Sequence, residues 1–141
     1  MDRLAHARWE GDLRTGQGHL SLGSKAFEGK YSFGTRFEGA PGTNPEELIG
    51  AAHAGCFSMA LAAALTKGGK PPRRIETTAT VHLGRSGEGF AITGIDLVTE
   101  GEVPGISEAE FQGLAADAKA DCIVSRALAA VPITLRATLR G

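Results

Sequence analysis

The sequence predicts an α+β fold, antiparallel sheets around one long central helix, on three observations. Glycine is frequent, 20 of 141 residues, and concentrated outside a single Ala-rich stretch, which marks a turn-rich β framework. Apolar residues alternate with polar ones on both sides of that stretch, the period of a half-buried strand. The stretch itself opens on Thr43-Asn44-Pro45-Glu46-Glu47, a helix start. Thr43 or Asn44 can cap, Pro45 suits the first turn, and two glutamates complement the positive end of the helix dipole. A chain of this length fits one domain, residues 1–141, and buries a core without disulfide staples.

Taken in order, the first 40 residues read as short antiparallel strands. Leu20 and Leu22 alternate with polar neighbours, and Phe27, Tyr31, Phe33 and Phe37 share one parity. Arg36 falls on the other parity, so it is expected to point away from the aromatic face. The helix then runs from Pro45 to about Thr66, where Gly68-Gly69 and Pro71-Pro72 stop it. Ile49, Ala52, Cys56, Met59 and Ala63 follow the 3-4 spacing of a buried face. Ile75, Thr77, Ala79, Val81 and Leu83 alternate as a strand, and Arg85-Ser86-Gly87-Glu88-Gly89 is a hairpin loop. In the return strand the parity switches at Gly94, which marks a bulge. Ser107 and Glu110 start a second helix with Phe111, Leu114, Ala115 and Ala118 on its apolar face. Asp121 is expected to cap a short third helix with Cys122 as its first residue. Pro132 breaks that helix, and Ile133, Leu135, Ala137 and Leu139 form a last strand.

Composition narrows the function. Net charge is -1 with both signs interspersed, so no nucleic-acid footprint or membrane-binding basic segment is present. The N-terminal decade Met1 to Glu10 lacks the apolar core of a secretory signal. The weakly polar run Ala54 to Leu65 is short for a membrane span. A cytoplasmic protein is expected, with its thiols kept reduced. Only two cysteines occur. In such a compartment a sparse pair is either redox-active or simply two small buried hydrophobes.

Cys56 lies mid-helix, where burial alone raises a thiol pKa and leaves it inert. Its own helix offers no close cation, since Lys67 is about three turns away; an arginine would have to come from elsewhere. Cys122 begins a helix, where free N–H groups favour thiolate. Asp121 opposes this and Arg126 partly offsets it. His53, three residues before Cys56, raises the thought of a cysteine hydrolase or half a metal site. Yet there is no Cys-x-x-Cys or His-x-x-x-His, and His6, His19 and His82 are scattered, so no metal is expected. Phosphate-loop, dinucleotide and Gly-x-Ser-x-Gly signatures are missing, and no organic cofactor is implied.

Three blocks carry a resemblance. Thr35-Arg36-Phe37-Glu38-Gly39 followed by Gly42 through Leu61 is the most specific. Gly89 through Thr93 and Val103-Pro104-Gly105-Ile106 make the second, and Lys119 through Ser125 the third. Together they resemble the osmotically induced protein C (OsmC) family, related to the organic hydroperoxide resistance proteins. Asn44-Pro45-Glu46-Glu47-Leu48 points to the osmotically induced branch. The resemblance implies a thiol peroxidase acting as an intertwined homodimer. Cys56 matches the peroxidatic cysteine and Cys122 the resolving one. Arg36 and Glu46 match the charged pair that activates the thiol and orients the peroxide. Gly55, where alanine is common, and Asp121, where glycine is common, are departures.

The implied chemistry suits these residue types. A guanidinium supplies the cation Cys56 lacks, and a carboxylate holds it by charge-assisted hydrogen bonds. A sulfenic acid on Cys56 would condense with Cys122 to a disulfide, which an external dithiol reduces by exchange. Apolar neighbours Phe57, Met59 and Ile49 favour an organic hydroperoxide over hydrogen peroxide. Glu46 and Cys56 lie roughly 15 Å apart along one helix and roughly 80° around it, so a shared site requires the second subunit or a broken helix. Two other classes stay open: a dimeric binding module for an apolar ligand with inert thiols, and a cysteine hydrolase that does not need Cys122.

Overall fold

A computed structural model describes residues 1–141. The chain forms two compact units, residues 1–48 and residues 49–141. In the first unit, β1 (Ala5–Glu10), β2 (Gln17–Leu22) and β3 (Glu28–Tyr31) form an antiparallel sheet in sequence order. The β1–β2 loop is held by Asp12, whose Oδ1 accepts from the Arg14 and Thr15 backbone N–H groups at 2.8 Å each. This is the local bonding that makes aspartate a turn residue. Trp9 and Tyr31 meet across this sheet with ring centroids 5.5 Å apart.

The strand period expected through Phe37 stops at Tyr31. Ser32 and Thr35 form a capping box, and Phe33–Phe37 is a short helix, α1. Phe33 and Phe37 still share a face, with centroids 4.9 Å apart. A separation of four residues satisfies both a period of two and a helical turn, so the aromatic parity did not distinguish them.

Helix α2 (Pro45–Lys67) begins as its sequence predicts. Asn44 Oδ1 accepts from the Glu47 N–H at 2.8 Å, and the Thr43 hydroxyl donates to Glu47 Oε2 at 2.9 Å. It closes at Gly69, which takes φ +75° and so lets the Lys70 N–H reach back to the Leu65 carbonyl at 2.9 Å. By length and composition alone α2 is sufficient to cross a bilayer, a property the shorter run Ala54 to Leu65 did not suggest.

In the second unit β4 (Arg74–Ser86), β5 (Gly89–Glu102) and β6 (Ile133–Arg140) form a sheet in that order. The β4–β5 hairpin turns at Gly87, φ +59°. It carries the bulge expected at Gly94: His82 pairs with Gly94 and Leu83 with Ile92, leaving Thr93 over. The expectation of purely antiparallel sheets fails here, because β5 and β6 are parallel. Parallel neighbours need a crossover, which α3 (Glu108–Asp121) and α4 (Ile123–Ala127) supply. Ser107 caps α3 by accepting from the Glu110 N–H.

The core of this unit gathers Phe57, Leu61 and Leu65 from α2, Ile95 and Leu97 from β5, and Phe111, Ala115 and Ala118 from α3. The buried stripe of α2 is therefore His53, Phe57, Leu61 and Leu65, not the expected one. Ala52 and Ala63 are exposed, Met59 is 75% exposed, and Ile49 and Cys56 are half-buried. Both stripes satisfy 3-4 spacing. In a helix this rich in alanine the larger side chains decide, because they remove the most apolar area from water.

Candidate functional site

The first unit holds a charged pair. Arg36 sits in the last turn of α1 and Glu46 in the first turn of α2. Arg36 Nε donates to Glu46 Oε1 and Oε2 at 3.1 and 3.2 Å, and Nη2 donates to Oε1 at 2.6 Å. Two nitrogens of one guanidinium on one carboxylate fix its plane as well as its position. The Glu46 side chain is 9% exposed and that of Arg36 40%, so the carboxylate is the anchored member. Arg36 does not point away from the aromatic residues as expected; its Cζ lies 5.4 Å from the Phe37 centroid, a consequence of the helical turn. The two helix ends are tied by Asn44 Nδ2, which donates to the Thr35 carbonyl at 3.3 Å. Gly42, at φ +139°, passes so close that a Cβ there would stand 2.7 Å from Thr35 Cγ2. Only glycine lets the connecting loop run against α1.

The second unit holds both thiols. Cys56 is half-buried in α2 and Cys122 is 1% exposed; neither is in a disulfide. Cys56 is among the groups that lower the Cys122 thiol. Cys122 is not the first residue of α4 with Asp121 as its cap. It is itself the cap, with φ −53° and ψ 123°. Its N–H closes α3 on the Ala118 carbonyl at 2.8 Å, and its carbonyl accepts from Arg126 at 3.0 Å. Its side chain makes no cap hydrogen bond, but it stands beside the free N–H groups of the next turn. Burial pushes the Cys122 thiol up. The Ser125 N–H, the Cys56 thiol, the Ser125 hydroxyl and the Val124 N–H outweigh that and bring it below the ordinary thiol value.

His53 is fully buried. Its Nε2 lies 2.7 Å from the Ser125 Oγ, its Nδ1 has no partner, and burial lowers its pKa. It is neither a solvent-facing histidine nor a fully satisfied one. Ser125 went unremarked in the sequence. Its signal was the spacing Cys122-x-x-Ser125 at a helix start, where the third residue folds back on the cap. No group of three metal-ligating side chains comes together anywhere in the chain. The structure thus joins Arg36 with Glu46 in one unit and Cys56 with Cys122 in the other.

The α+β chain thus offers two free thiols, one half-buried in a long helix and one buried at a helix start. The OsmC-like protein family model matches residues 37–136. Over its whole length the chain is 52% identical to the peroxiredoxin OsmC of Escherichia coli K12, covering 99% of that protein. It is 33% identical to an organic hydroperoxide resistance protein of Xanthomonas axonopodis, over 79% of this chain and 78% of that one. Among solved structures, an OsmC-like protein of Mycoplasma pneumoniae superposes with TM-score 0.77 at 16% identity, covering 100% of this chain and 99% of that chain. The chain belongs to the OsmC-like family.

Proposed function

We propose that this protein is a soluble, cytoplasmic thiol peroxidase that reduces organic hydroperoxides to alcohols, with residues 1–141 working as one domain. The two free thiols carry the reading: Cys56 is among the groups that lower the Cys122 thiol, which supports a disulfide between them. Relatives that bear the names peroxiredoxin and organic hydroperoxide resistance protein support the activity.

Access supports the roles. Cys56 is half-buried and Cys122 almost fully buried, and a peroxide must reach the sulfur that attacks it. The Cys56 thiolate bonds to one peroxide oxygen, the O–O bond breaks, and the alkoxide leaves as the alcohol after taking a proton. Cys122 then attacks the Cys56 sulfenic acid, an S–S bond forms, the S–O bond breaks, and water leaves. An external dithiol supplies two electrons to restore both thiols. Arg36, held by Glu46, is the cation that favours the Cys56 thiolate and orients the peroxide.

The helix argument still stands, because α2 runs unbroken through Gly50 and Gly55. We therefore assign the Arg36–Glu46 pair to the Cys56 of a second subunit in a homodimer. The exposed residues Ala52, Met59 and Ala63 on α2 suit a two-fold contact. The test is peroxide consumption under a dithiol supply. Cumene hydroperoxide should be consumed faster than hydrogen peroxide. Equal rates would remove the apolar substrate, and no consumption of either would remove the peroxidase.

A further inference from the structure

Beyond the two cysteines and the ion pair, one buried group in the second unit has no assigned task. His53 is fully enclosed, bonds through Nε2 to Ser125, and leaves Nδ1 without a partner. A buried polar atom left bare is unusual and asks for a reason. The bare atom also fixes the direction of the contact. Orphaned N–H donors are rarer in proteins than under-used acceptors, so the hydrogen belongs on Nε2 and Nδ1 keeps only its lone pair. Nε2–H then donates to the Ser125 oxygen. That leaves the Ser125 hydroxyl hydrogen free to point away from the imidazole, toward Cys122, the buried cap of the helix in which Ser125 is the third residue.

We propose that His53 is a positioning residue: through Nε2–H it aims the Ser125 hydroxyl at the Cys122 sulfur. This deepens the peroxidase reading and rests on it for its purpose. A thiol that must attack a sulfenic acid needs its sulfur unprotonated at the moment of attack. A hydroxyl held donor-first does that, whereas a freely turning one can also accept from the thiol. The lowered pKa of His53 agrees, since the relay needs a neutral imidazole. The ionisable groups near Cys122 in this unit are Cys56, which lowers its thiol, and His53, bonded to Ser125. Asp121 and Arg126 flank it along the chain with exposed side chains.

The test isolates Cys122 in a Cys56→Ser background and follows its ultraviolet thiolate absorbance against pH. Ser125→Ala and His53→Leu should each raise the midpoint by about one pH unit, a roughly tenfold lower thiolate fraction below it. The double variant should add nothing further, because both act through one bond. His53→Gln, whose amide N–H can replace Nε2–H, should keep the original midpoint. Nitrogen NMR should show His53 Nδ1 unprotonated. A folded His53→Leu or Ser125→Ala with an unmoved midpoint overturns the proposal, as does a hydrogen on Nδ1. If His53→Leu does not fold by circular dichroism, Ser125→Ala against His53→Gln decides alone: a raised midpoint in the first and not the second supports it, and any other result overturns it. Peroxide turnover of the unaltered protein is measured separately. No turnover with the midpoint shifts intact removes the peroxidase and keeps the relay; turnover without the shifts removes the relay alone.

Discussion

The ion pair of the first unit and the thiol pair of the second are built on opposite plans. Arg36 and Glu46 carry full charges, and three hydrogen bonds lock them to each other. The Cys122 thiol is neutral when protonated and is lowered mainly by the backbone and hydroxyl donors at the start of α4 and by Cys56. The first arrangement resists change, since separating such a pair leaves a buried carboxylate uncompensated. The second favours the loss of a proton from Cys122. The charge of the first unit is held by side chains, and the buried sulfur of the second stands at a helix end.

The contrast is broken most severely at the thiols. Cys56→Ser should lower steady-state peroxide turnover by more than a thousandfold, since it removes the nucleophile. Cys122→Ser should instead consume about one equivalent of peroxide and then stall or proceed to sulfinic acid, visible by mass. Equal turnover of Cys122→Ser and the unaltered protein, with a dithiol unable to resolve a sulfenic acid, would refute the two-cysteine cycle.

At the ion pair the effects should be smaller. Arg36→Lys keeps the charge but loses the planar fork. We expect a loss of turnover on the order of tenfold, a few times more for Glu46→Ala, which frees the guanidinium. Mixing Cys56→Ser with Glu46→Ala chains should restore part of the activity that neither homodimer has. Mixed dimers as inactive as their parents would place Glu46 in the service of its own chain.

The smallest effect is in stability. Burial holds the His53 imidazole below its ordinary 6.5. On acidification the unfolded chain takes up that proton before the folded one does. Stability is therefore full above about pH 6.5 and falls as pH drops from there toward the folded value. Urea midpoints measured from pH 8 to 5 should decline more steeply for the unaltered protein than for His53→Gln. Parallel curves would mean that His53 titrates alike in both states.

Much of this was legible in the residues. The start of α2, the bulge at Gly94 and the Ser107 cap each have a local chemical signature, and each stands where the sequence put it. Three features were not local. The sequence gives no sign of the pairing direction of β6, because parallel and antiparallel partners carry the same alternation. The α2 stripe was misjudged because an Ala-rich helix has two defensible apolar faces and only packing chooses between them. Phe33 and Phe37 fit strand and helix alike until Ser32 and Thr35 closed their box. At the site, Arg36 and Glu46 meet in an ion pair. His53 and Ser125 lie 72 positions apart, and no short-range pattern connects residues so distant.

The parallel β5–β6 ladder has a consequence for how the protein is made. Synthesis runs from the N-terminus, so Cys56 is translated and its helix can form well before Cys122 exists. Strand β6 can seat itself only after the whole crossover, Val103 through Pro132, has been laid down, and non-local pairings of this kind are the slow ones. Cys122 is inside that crossover. Under the proposed two-cysteine cycle, a newborn chain therefore carries Cys56 with no thiol to resolve its sulfenic acid until the crossover has been made.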